Sequence, residues 1–269
     1  MTATGRIVLA HERHDGGGGG AAPVVLMHSL GADGRMWDAV VERLRPGRDL
    51  VVPDSRGHGR SPGGLTVSVE GWVEDLDALL AELAIDTVSL VGVSLGGIQA
   101  VAFAAAHPGR VRSLVVADSF VELAPDVAAT KIAQLAGQAD TLPMAEVADR
   151  YVADTFADPV PPGAETVRRA IAAMTPGDYA AAVRACFGVR ITHLLPRVAA
   201  PTLVLWGDRD AKTPRALSET IRDGIAGARL AVVPDAGHLS NIDNPGAFAR
   251  LAAEFLDESV TGKGEHRHG

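Results

Sequence analysis

The chain has 269 residues, of which 47% are apolar, 22% charged and 4% aromatic, and its formal net charge is −8. That is length and apolar content enough for one α/β domain with an insertion. The acidic balance and the scarcity of aromatics exclude a broad basic face and a base-stacking platform, so no nucleic-acid partner is expected.

In chain order, Gly5 to Ala10 reads as a short first strand, and the glycine run 16–20 as a flexible turn. Pro23 to His28 (PVVLMH) is a continuous apolar run, as a strand buried on both faces of a parallel sheet requires. Met36–Leu44 then spaces its apolar residues for a helix. The buried-strand pattern recurs at Asp49–Pro53, Val88–Val93, Ser113–Ala117 and Thr202–Trp206, and more weakly at Leu230–Val233. Val69–Leu83 and the Ala-rich stretch Leu95–Ala106 are helical between these runs, the second ended by His107-Pro108. Strands alternating with helices give βαβ units and an α/β sheet.

From about Phe120 to Leu195 the alternation fails. Helical stretches such as Met144–Phe156 and Glu165–Met174 are broken by prolines, and about 75 residues is too long for a connecting loop. The organisation expected is a core of residues 1–119 and 196–257, a helical lid over 120–195 and a polar tail over 258–269. The amino terminus lacks the apolar run of a secretory signal, and no stretch approaches the about 18 apolar residues of a membrane span. A cytoplasmic protein with no membrane partner is the expectation, and the pattern is silent on the number of subunits.

The strongest chemical signal is Gly92-Val93-Ser94-Leu95-Gly96, lying after a buried strand and before a helix. That is the context of a G-x-S-x-G elbow, which lifts a serine hydroxyl to the carboxyl edge of a sheet. The Leu95 amide then opens a helix, where a free N–H and the dipole favour developing negative charge. A serine nucleophile needs a base and a group to orient it. Of nine histidines, His238 in PDAGHLSN follows the last strand and is the candidate base. His266 and His268 lie in the tail, and His193 in the helical segment. For the acid, Asp210 in TLVLWGDRD is placed to reach His238, with Asp118 in LVVADSF and Asp208 as rivals. The loop His28-Ser29-Leu30-Gly31 can aim the Leu30 amide at a substrate oxygen, and His28 itself reads as structural. His58, between Gly57 and Gly59, reads as part of a turn. Cys186 is the single cysteine, so neither an intramolecular disulfide nor a thiolate cluster is possible, and it has no elbow. No metal-ligand spacing or phosphate loop is present, and no cofactor is expected.

With these residues placed, the chain resembles α/β-hydrolases over nearly its whole length, through HSLG, DSRGHGRS, GVSLGG, the Gly-x-x-Asp at 207–210 and GHLSNID. HSLGADGRMWD, DSRGHGRSP and HLSNIDNP are similar to 3-oxoadipate enol-lactonases, which open a small enol-lactone. The resemblance implies a mostly parallel twisted sheet flanked by helices, with the lid inserted after the sixth strand. It implies a triad of Ser94, Asp210 and His238 and oxyanion amides from Leu30 and Leu95. The expected substrate is a small ester or lactone. Ser29, Trp37, Arg150 and Arg184 are the candidate substrate-binding residues, the two arginines as partners for a carboxylate. Alternatives on the same fold are a C–C bond hydrolase, a biosynthetic cyclase or lyase, and a receptor with little turnover.

Overall fold

A computed structural model of the chain describes residues 7–17, 22–64 and 66–261. Gly5, Arg6, part of the glycine run, His266 and His268 lie outside the described residues. The first strand is β1 (His11–His14) rather than 5–10, followed by β2 (Val24–Met27). A 3-10 turn over Gly34–Trp37 leads into α1 (Asp38–Leu44), then β3 (Leu50–Pro53), α2 (Val69–Glu82), β4 (Val88–Val93), α3 (Leu95–Ala106) and β5 (Val111–Ala117). Four helices come next: α4 (Pro125–Thr141), α5 (Met144–Thr155), α6 (Ala164–Ala173) and α7 (Pro176–Phe187). The chain closes with β6 (Thr202–Gly207), α8 (Arg215–Gly224), β7 (Arg229–Val233), α9 (Ser240–Asp243) and α10 (Pro245–Thr261). Helix α10 therefore runs on through 258–261, where a polar tail was expected.

The seven strands form one sheet in the order β1-β3-β2-β4-β5-β6-β7. Only β1 is antiparallel, its His11 opposite Pro53. Burial explains why some strands were conspicuous. β2, β3 and β4 are buried at every position, as helices on both faces demand. β1 and β7 are edges, and both leave residues exposed or half-exposed.

The helical segment α4–α7 follows the fifth strand of the sheet, not the sixth. An extra strand ahead of β2 would be needed for the expected count. Among the described residues between His14 and Val24 there is none. The strand after the segment, β6, pairs directly with β5, Ala117 opposite Leu205. The insertion thus leaves and re-enters the core between neighbouring strands. Its neck is joined by a bridge between Glu122 and Arg190, and Thr192 Oγ1 donates to Glu122 Oε2 at 2.8 Å. α4 packs on α7 and α5 on α6.

Parallel pairing aligns the carboxyl ends of the strands. Met27 of β2 lies opposite Gly92 of β4, and Val93 opposite Ala117. His28, Ser94, Asp118 and Asp208 consequently emerge along one edge, under the four inserted helices. In an open α/β sheet this edge is where ligands bind.

Candidate active site

Ser94 sits between β4 and α3 with φ 54° and ψ −115°. A side chain rarely tolerates that conformation, and holding it costs about 1–3 kcal/mol. Two glycines make the turn possible. A Cβ on Gly92 would come 2.2 Å from the Gly96 carbonyl oxygen, and one on Gly96 2.1 Å from that of Met27. The Ser94 amide donates to Ala117 O at 2.9 Å, and Ser119 Oγ donates to Ser94 O at 2.7 Å. The elbow is thereby fastened to the end of β5.

His238 Nε2 lies 3.1 Å from Ser94 Oγ, and His238 Nδ1 lies 3.1 Å from Asp210 Oδ2. A carboxylate can only accept, so the bond to Asp210 places the imidazole proton on Nδ1 and leaves Nε2 as the acceptor for the serine hydroxyl. Asp210 is itself fixed. Its Oδ1 accepts from the amides of Lys212 at 2.8 Å and Thr213 at 3.0 Å, and Thr213 Oγ1 donates to Oδ2. Burial works to raise the Asp210 carboxyl, but the His238 hydrogen bond, the His238 charge and the Thr213 donors outweigh it and hold the group below the usual carboxylate range. Ser94, His238 and Asp210 are 5%, 7% and 4% exposed, so the line is nearly dry.

The rival acids have other partners. Asp118, at the end of β5, accepts from Gly207 N at 2.8 Å and from Ser240 N at 3.2 Å and Oγ at 2.5 Å. Burial and the Asp210 charge push its carboxyl well above the usual carboxylate range, against those three donors. Asp208 is exposed and accepts from Ala236 N at 3.2 Å, shaping the loop that carries His238. His28 donates from Nδ1 to Ser29 O at 2.8 Å and accepts from Ser55 N on Nε2 at 2.8 Å. His58, tucked 5.0 Å from the His28 ring, is pulled down to about 3 by burial and the His28 charge. Both histidines support loops.

Among the described residues neither the Leu30 nor the Leu95 amide has an acceptor within the protein. Leu30, Ser94 and His238 all line a cavity of about 600 Å³ enclosed between the sheet edge and helices α4, α5 and α7. Its walls are apolar at Phe120, Leu135, Val147 and Phe187. The Phe120 and Phe187 rings are stacked with centroids 5.8 Å apart.

Of the expected substrate-binding residues, Arg150 lines this cavity, though its guanidinium is paired with Glu146 at 2.7 Å. Three expectations are corrected. Trp37 is fully buried against Phe248 outside the cavity, because the 3-10 turn before α1 points it into the core. Ser29 is also fully buried and does not line the cavity; its amide donates to Met36 Sδ and its carbonyl accepts from Ala32 N within the turn. Arg184 is exposed on α7 and turned away from the cavity. Cys186 lines the cavity, and burial pushes its thiol up to about 12. Lys212, Tyr151, Asp154 and Thr213 also reach the wall and were not foreseen. For Lys212 a signal existed, since it stands two residues past the candidate acid, but in GDRDAKTP it looks like one more surface charge.

Among the described residues no group of three or more His, Cys, Asp or Glu side chains could hold a metal ion, and no helix is long and apolar enough to cross a membrane. The sequence model for the alpha/beta hydrolase fold matches residues 22–245. A pimeloyl-[acyl-carrier protein] methyl ester esterase of Neisseria meningitidis is 29% identical over 245 residues, covering 87% of this chain and 76% of its own length. 3-Oxoadipate enol-lactonase 1 of Acinetobacter baylyi is 28% identical over 243 residues, 89% of this chain and 90% of its own. Among solved structures, a thermophilic esterase from Thermogutta terrifontis with malate bound superposes with a TM-score of 0.85 at 29% identity, covering 94% of both chains.

Proposed function

The chain belongs to the alpha/beta hydrolase fold family, and from that premise we propose that it is a serine hydrolase cleaving a carboxylic ester or lactone, with small enol-lactones inside its range. One observation carries this reading: the unbroken hydrogen-bonded line from Ser94 through His238 to Asp210, opening on a cavity of small-molecule size. The similarity to an esterase and to an enol-lactonase over most of their lengths supports the ester and lactone class.

In this mechanism His238 Nε2 takes the Ser94 proton as Oγ attacks the carbonyl carbon. Asp210, ionised and held by Thr213, keeps the imidazole in the reactive tautomer and stabilises its positive form. The oxyanion is received by the free amides of Leu30 and Leu95, the second at the positive end of α3. His238 then gives its proton to the leaving oxygen. A lactone keeps its leaving alcohol tethered to the acyl group, whereas an ester releases it. Water, activated by the same histidine, attacks the acyl-enzyme and frees Ser94. Helices α4–α7 act as the lid that excludes bulk water and shapes the pocket.

The test is covalent. A fluorophosphonate should label the wild-type protein at Ser94, and the unlabelled wild type should turn over p-nitrophenyl esters. Ser94→Ala should lose the label and at least about 10³-fold in kcat with its unfolding transition unchanged. Near-normal turnover by that variant would end the serine-nucleophile reading.

A further inference from the structure

The cavity wall is not electrically neutral. Its lining carries the cations Lys131, Arg150 and Lys212 and a single acid, Asp154. That runs against the net −8 of the whole chain. Arg150 is satisfied by Glu146, with both side chains about half exposed. Lys131, on α4, lines the same cavity close enough to repel the Lys212 ammonium. Lys212 is the unusual group. Its backbone amide supports Asp210, while its side chain, 21% exposed, turns inward and rests with Nζ 4.7 Å from the centre of the Tyr151 ring. Nζ is 2.8 Å from Asp154 Oδ2, whose own side chain is 73% exposed. Burial pulls the Lys212 ammonium below the usual lysine range, with Lys131 adding repulsion and Asp154 opposing both.

A desolvated ammonium inside a pocket is stabilised by an anion brought to it. Here its present partner is an exposed carboxylate that water can solvate as soon as it lets go. Exchanging Asp154 for an incoming carboxylate therefore costs little, and Lys131 adds a second charge of the right sign. We propose that Lys212, with Lys131, forms a subsite for a carboxylate carried by the substrate, and that Asp154 occupies this subsite when the cavity is empty. The chemical class is a half-ester or lactone that retains a free carboxylate besides the carbonyl under attack. The inference rests on the hydrolase reading for what happens at that carbonyl, but not for the binding itself.

Direct titration separates the two. Adipic acid monomethyl ester and the neutral methyl hexanoate, titrated calorimetrically into Ser94→Ala protein, report binding without turnover. The anionic ester should bind more tightly than the neutral one. Adding Lys212→Met should reduce that preference by about 10- to 100-fold, the worth of a charge-assisted contact, and Lys131→Met by less. Asp154→Asn should increase the preference. A lysine and aspartate paired only for stability would predict no such opposition, since both variants break the same ion pair and should act alike. Equal changes in the two variants, no change in Lys212→Met, or no binding of the anionic ester overturn the subsite. Fluorophosphonate labelling of the wild type, run alongside, reads the hydrolase assignment independently: loss of labelling with the titration pattern intact defeats the hydrolase and leaves the subsite.

Discussion

The backbone at Ser94 is held by atoms that have no room to give. Gly96 faces the Met27 carbonyl, whose oxygen and carbon would lie 2.1 and 2.5 Å from a new Cβ, and neither is a flexible side-chain end. Gly96→Ala should therefore cost about 1–3 kcal/mol of stability as an overpacked site, read from the urea midpoint. Met27 leads directly into the turn that presents Leu30, so kcat on p-nitrophenyl esters should fall by more than the stability loss accounts for. Asp210 allows a prediction with a sign. Its carboxyl is held below its ordinary range in the fold, so it contributes stability above the ordinary carboxylate pKa of about 3.9, and that contribution is lost as pH falls through the folded value. The wild type should thus exceed Asp210→Asn in urea midpoint at about pH 6, and the gap should close towards about pH 3. At neutral pH the same variant should lose on the order of 10⁴-fold in kcat, because an amide no longer selects the Nδ1–H tautomer of His238.

At the scale of elements, the carboxyl end of β5 is the fastening point of the site. Ser119 holds the elbow, while Asp118 holds both Gly207, three residues before Asp210, and Ser240, two residues after His238. Ser240→Ala removes one of these ties from a fully buried carboxyl and should cost about 1–3 kcal/mol. Its kinetic effect should fall on kcat rather than KM, since the His238 loop moves and the cavity wall does not. This role explains how Asp118 could rival Asp210 in the sequence. Both acids follow a buried strand, and only the three-dimensional partners distinguish a residue that ties loops together from one that faces the imidazole. The central strands and Ser94, His238 and the GDRD turn were legible because they need long apolar runs or unusual glycines next to a reactive side chain. The edges were not. β1 reads HERH and is held by backbone pairing to β3, with half its positions in water, so no apolar rhythm marks it. The apolar runs before the inserted helices number five, as the strands do, with the first one misplaced; the count of six came with the family resemblance. Trp37 failed for a different reason: an aromatic near a candidate oxyanion loop is consistent with substrate contact or with core, and a 3-10 turn decides between them.

For the whole molecule, the division of labour runs between sheet and insertion. The sheet edge supplies Ser94, Asp210 and His238, whose positions follow from strand register. Helices α4, α5 and α7 supply about half of the cavity wall, and they are attached through the narrow Glu122–Arg190 neck. Such an arrangement lets the hydrogen-bonded line stay fixed while the shape of the wall varies with the insertion. Phe187, at the end of α7, and Phe120, just past β5, close one side of the cavity with a stacked pair. Removing one ring enlarges the pocket without touching the hydrogen-bonded line. Phe187→Ala should therefore shift the acyl-length optimum of a p-nitrophenyl ester series towards longer chains. A mismatch of one methylene in an apolar pocket is worth about 10- to 200-fold, so the ratio of kcat/KM for a long over a short ester should rise by roughly that order. An unchanged ratio, with fluorophosphonate labelling intact, would mean that the acyl chain lies elsewhere in the cavity, along the wall that carries Tyr151 and Lys212.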